Sequence, residues 1–162
     1  MWLASAPTRK HTLAQLYGVE TPLVQIDHRN WVLELFHGPT LAFKDVGART
    51  TARLMASLDS GDQPLTVLAA TSGDTGSAVA HAFHGVPHTR VVILYPNGRV
   101  SPVQEAQLTM FNSEDGNVRA YAVDGSFDDC QRMAKALLSD AAFRDQVPLG
   151  SANSISLGRL FP

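Results

Sequence analysis

Three short apolar runs constrain the fold of this chain more than any other feature. "LTVLAAT" (65–71), "RVVILYP" (90–96) and "VRAYAVDG" (118–125) start 25 and 28 residues apart, and none alternates cleanly between apolar and polar residues. A strand with one wet face alternates, whereas a strand covered on both faces reads as a nearly continuous apolar run. Each gap holds one helical pattern, so the economical reading is a parallel sheet built from right-handed βαβ units. The expected fold class is α/β, a three-layer αβα.

The helices carry their own punctuation. "SPVQ" puts Ser101 at an N-cap, Pro102 at the first helical position and Gln104 at the third, a capping box. "SFDD" repeats the device with Ser126 and Asp129, and Cys130, Ala134, Leu137 and Ala141 follow on one helical face. Asp128 and Asp129 complement the dipole of that helix. Gly85 and Pro87 stop the helix of "SAVAHAFHG". In "DVGARTTARLMASLDSG", Ala48, Ala52 and Met55 share a face, with Leu54 and Leu58 beside it and Gly61 at the stop. Ahead of it, "TPLVQI" and "WVLELF" are extended segments around the turn "DHRN", and the last stretch, "LGSANSISLGRLFP", reads as a fourth strand leading into a loop or helix start.

At 162 residues the chain buries roughly 70% of its unfolded surface, enough for a core without staples. A net charge of −2 gives no basic field for nucleic acid, and no apolar run approaches the roughly 20 residues of a membrane helix. The single Cys130 excludes an internal disulfide framework and reads as a small buried residue. "MWLASAPTRK" is too short for a signal-peptide core, so a cytoplasmic chain is expected. His81, His84 and His88 are close in sequence, but no acidic or cysteine partner has ligand spacing with them, so no metal site is expected.

Two stretches carry chemistry. "LELFHGPTLAFKD" (33–45) places Lys44 in an apolar patch at the start of a helix, where desolvation and the helix dipole favour a neutral, nucleophilic amine. A lysine stem that packs while its head reaches water is the competing reading. "TSGDTGSA" (71–78) lies between a strand and a helix, where successive backbone N–H groups form an anion cradle. It lacks the Gly-Lys-Ser/Thr of a nucleotide loop, and Asp74 would repel a polyphosphate while leaving room for a single carboxylate. A tight strand-to-helix turn explains the glycines equally well.

Together with "LYPNGRVSPVQEAQLTMF", "VDGSFDDCQ" and "SANSISLGRL", these stretches resemble the threonine synthase family from about Thr21 to Arg159. The resemblance implies a fold-type II pyridoxal 5'-phosphate enzyme acting on O-phospho-L-homoserine. It implies that Lys44 bonds the cofactor and catalyses, and that Ser72, Gly73, Asp74, Thr75 and Gly76 lie against the cofactor, with Ser72 and Thr75 also holding the substrate carboxylate. Asn153, Ser154 and Arg159 match the segment assigned to substrate, although Ser156 stands where the family has asparagine. His37 is expected near the site. The family's second glycine-rich phosphate loop, "GNFG"-like, is not found in these residues.

Residues 1–60 thus read as a flanking segment with the lysine loop and helix, and 61–162 as a small α/β domain cut before the remaining large domain. A chain of this kind is expected to bind the cofactor weakly, if at all, and to be inactive alone. Another fold-type II lyase or dehydratase acting on a small amino acid, and a non-catalytic α/β module, remain the alternatives.

Overall fold

The computed structural model describes residues 18–58 and 61–152. In chain order these form β1 (Leu23–Gln25), β2 (Trp31–Leu33), α1 (Lys44–Leu58), β3 (Leu65–Ala70), α2 (Asp74–Phe83) and β4 (Thr89–Pro96). There follow α3 (Pro102–Thr109), β5 (Val118–Val123), α4 (Phe127–Ser139), α5 (Ala141–Gln146) and β6 (Leu149–Ser151). The three apolar runs are the three central strands, and β6 is the fourth, in the order β5-β4-β3-β6 with every pair parallel.

Side chains of successive strand residues point to opposite faces. Tyr121 of the edge strand β5 stays exposed, against the expectation for that run, whereas over β3 and β4 both faces are covered. On one, Val67, Ala69, Val91, Ile93, Val118 and Ala120 pack with Val79, Ala80 and Phe83 of α2, Leu108 of α3 and Ala52 of α1. On the other, Leu68, Ala70 and Leu94 meet Cys130 and Ala134 of α4. The three-layer αβα expectation holds, and α1 packs directly against α2. At the free edge of β5, the Asn112 side chain stands in for a further strand. It donates to the Ala120 carbonyl at 3.0 Å and accepts from the Ala120 N–H at 2.8 Å.

Both capping boxes form. Hydrogen bonds from the Ser126 backbone and side chain, then Arg132, hold the Asp129 carboxyl at about 2. Cys130 is buried, and that burial pushes its thiol up, as suits an inert packing residue. The apolar face expected to continue from Cys130 to Ala141 is interrupted at Asp140, which closes α4 and whose Oδ1 accepts from the Phe143 N–H to open α5. Leu137 is correspondingly left partly exposed.

Strand order positions the site. The α2 crossover carries the chain from β3 outward to β4, while α4 and α5 carry it back from β5 to β6 on the other side of β3. The order therefore reverses between β3 and β6, and the crevice at the carboxyl ends of strands there is where open α/β sheets bind ligands. The loop leaving β3 is Thr71–Gly73.

Candidate active site

Lys44 is the first residue of α1, reached through a loop built on one buried carboxylate. Asp45 is fully buried and accepts from the Thr40 N–H at 2.9 Å and the Thr40 hydroxyl at 2.8 Å. Its carboxylate lies so close to Gly38 that a side chain there would collide with it. Within this hook Leu41 adopts φ 59°, a left-handed conformation disfavoured for leucine, of the kind that clusters at functional sites. The residues between a Gly-Pro turn and the lysine are thus held by polar contacts, while Leu41 and Phe43 stay exposed.

The Lys44 side chain is 24% exposed, and its Nζ lies 3.6 Å from Asp74 Oδ2 and 4.9 Å from the centre of the Phe43 ring. The amine is therefore not aimed into bulk solvent. It faces the loop after β3, and its neighbour is a carboxylate rather than apolar walls alone. Asp74, 52% exposed, opens α2, and its other oxygen accepts from Gln104 Nε2 at 2.8 Å.

The loop itself is organised by Thr71, which is buried. Its hydroxyl donates to the Gly73 carbonyl at 3.1 Å and accepts from the N–H groups of Gly73 at 3.0 Å and Gly76 at 2.9 Å. Two donors of the expected anion cradle are thereby occupied within the protein, and the cradle narrows to Ser72, Asp74 and Thr75. Gly73 has φ 147°, open to glycine alone, and any side chain on it would run into the Gln104 amide.

Of the residues singled out from sequence, Lys44 meets Asp74 in the loop from Ser72, while Gly76 is buried against Thr71 and Leu108, and Asn153, Ser154 and Arg159 lie outside the described residues. The strand that leads to them, β6, is paired with β3. His37 bonds Glu34 at 2.6 Å through Nε2. His81 and His84 flank the Phe111 ring, and burial pulls the His81 imidazole down; no metal-ligating cluster occurs among the described residues. Sequence reasoning missed Thr71, Asp45 as a hook, and Gln104 as a partner of Asp74. The GPT…D spacing signals the hook, but no local pattern signals the Gln104 contact.

An aldehyde cofactor with a flat ring needs an amine to bond, a bare stretch of backbone to lie against and donors for anionic groups. Lys44 supplies the amine and the Ser72–Thr75 segment the donors, while the Gln104 amide fills the space in front of Gly73. These residues fit the aldehyde end of pyridoxal phosphate. The family model for pyridoxal-phosphate-dependent enzymes matches residues 14–153. The chain belongs to this family.

Among its relatives, threonine synthase from Serratia marcescens is 50% identical over 139 residues, 86% of this chain and 32% of that protein. Threonine synthase from Escherichia coli is 47% identical over 144 residues, 89% of this chain and 33% of that protein. The crystal structure of PLP-bound threonine synthase from Brucella melitensis matches with a TM-score of 0.80 at 44% identity, covering 96% of this chain and 34% of that one. The chain thus spans about a third of the length of the curated relatives it matches.

Proposed function

We propose that this chain is the lysine-bearing part of a threonine synthase, which converts O-phospho-L-homoserine and water to L-threonine and phosphate. One observation carries the reading. The Lys44 amine stands 3.6 Å from Asp74, in a glycine loop at the switch point of the sheet, in a chain of which 86% aligns at 50% identity with a threonine synthase. Pyridoxal phosphate, when bound, supplies an electron sink for the carbanion that develops on the substrate.

Lys44 Nζ would hold the cofactor, and the same amine would move the protons of the substrate. Those taken from Cα and Cβ as phosphate departs from Cγ are returned to Cγ, which becomes the methyl group, and to Cα. Water gives its hydroxyl to Cβ and its proton to the phosphate. Ser72 and Thr75 hold the substrate carboxylate through hydroxyl and N–H groups at the start of α2. Gly73 leaves room for the Gln104 amide, and Asp74 fixes where the amine stands. Asn153, Ser154 and Arg159 are assigned to the substrate. No helix among the described residues is long and apolar enough to cross a membrane, and with a single buried thiol we place the enzyme in the cytoplasm.

The test starts with borohydride trapping of the full-length enzyme in pyridoxal phosphate, followed by peptide mapping. The reduced adduct is expected on Lys44, against Lys10 and Lys135, the other lysines of the sequence. In the full-length enzyme, Lys44→Ala should stop release of phosphate and threonine from O-phospho-L-homoserine. A tag carried by Lys10 or Lys135, or an active Lys44→Ala enzyme, refutes the assignment.

A further inference from the structure

Gln104 does two things at once. Its Oε1 accepts from the Ser101 N–H at 3.1 Å while its own N–H donates to Ser101 Oγ at 3.3 Å, the reciprocal pair that starts α3. Its Nε2 donates across the crevice to Asp74 Oδ1 at 2.8 Å. The two partners dictate the amide's orientation, because reversing it would set oxygen against the Asp74 carboxylate and N–H against the Ser101 N–H.

A capping box accepts glutamate or glutamine at this position equally well. Only the amide both accepts at one end and donates at the other. Gly73 leaves the space through which the amide reaches, since a side chain there would collide with it. Asp74 is thereby held between Gln104 on Oδ1 and the Lys44 amine on Oδ2.

We propose that Gln104 is a positioning residue: its side-chain amide, anchored by the α3 cap, holds the Asp74 carboxylate against the Lys44 amine. The proposal rests on the reading of Lys44 as the reactive amine, and it assigns a role in the site to a residue thirty positions from the loop it orients.

The experiment separates cap from position. Gln104→Met removes the donor to Asp74 without adding charge; Ser101→Ala weakens the cap and keeps that donor. The full chain is labelled with formaldehyde and borohydride, and the rate at Lys44 is divided by the rate at Lys135, which is exposed on α4. The ¹³Cγ resonance of Asp74 is recorded in parallel.

Gln104→Met should raise the Lys44/Lys135 ratio about threefold or more and move the Asp74 resonance, while Ser101→Ala leaves both near the wild-type values. Unchanged readouts in Gln104→Met, or equal changes in Ser101→Ala, overturn the proposal. Gln104→Met, or Gln104→Ala if that variant does not fold, is also compared in wild-type and Asp74→Asn backgrounds. The effect should vanish once the carboxylate is gone, and an effect that persists there overturns the proposal. Neither readout uses pyridoxal phosphate, so a trapped adduct on another lysine would defeat the enzymatic reading and leave this measurement standing.

Discussion

Residues 61–152 and residues 18–43 contain apolar side chains of the same kinds and treat them in opposite ways. In the sheet unit Val67, Val91, Ile93 and Phe83 are fully buried between layers. In the lysine arm every residue of β1 and β2 is exposed, Trp31 and Leu33 included, although the two extended segments pair as an antiparallel hairpin. Burial therefore follows from having a layer to pack against, not from composition. The arm is ordered instead by polar contacts. Asp27 accepts from the N–H groups of Arg29 and Asn30 in the hairpin turn, and Asp45 grips Thr40 before the lysine.

The strongest attempt to break this contrast is Phe83→Ala. A fully buried ring between α2 and the sheet should cost about 3–5 kcal/mol, read as a lowered denaturation midpoint with an unchanged slope. A loss below about 1 kcal/mol would mean that the sheet unit is no better packed than the arm. Thr71→Val sharpens the comparison at its border. It keeps the shape but strips the buried N–H groups of Gly73 and Gly76 of the hydroxyl they share, for about 1–3 kcal/mol and weaker trapping of pyridoxal phosphate at Lys44. Trp31→Ser, on the exposed hairpin, should stay within about 0.5 kcal/mol of wild type in thermal unfolding of this chain.

What was legible in the sequence was local. β3 and β4 announced themselves because both faces are covered, and Ser101 and Ser126 because a capping box spans only four positions. The lysine loop and the glycine loop were each visible as chemistry. Their meeting, Lys44 against Asp74, followed from the resemblance and the sheet's geometry rather than from any spacing between them. The roles of Thr71 and Gln104 were hidden for different reasons. Thr71 turns the loop's own donors inward, which no residue count reveals, and Gln104 had already been explained by its cap. The break at Asp140 was missed because apolar periodicity runs straight through a residue that ends one helix and begins the next.

Lys44 opens α1 and Asp74 opens α2, and these two helices lie flank to flank. The gap between amine and carboxylate is consequently a calliper reading whose hinge is that helix contact, and the buried Ala52 of α1 shares one apolar cluster with Val79 and Phe83 of α2. Enlarging Ala52 should spread the jaws from a distance.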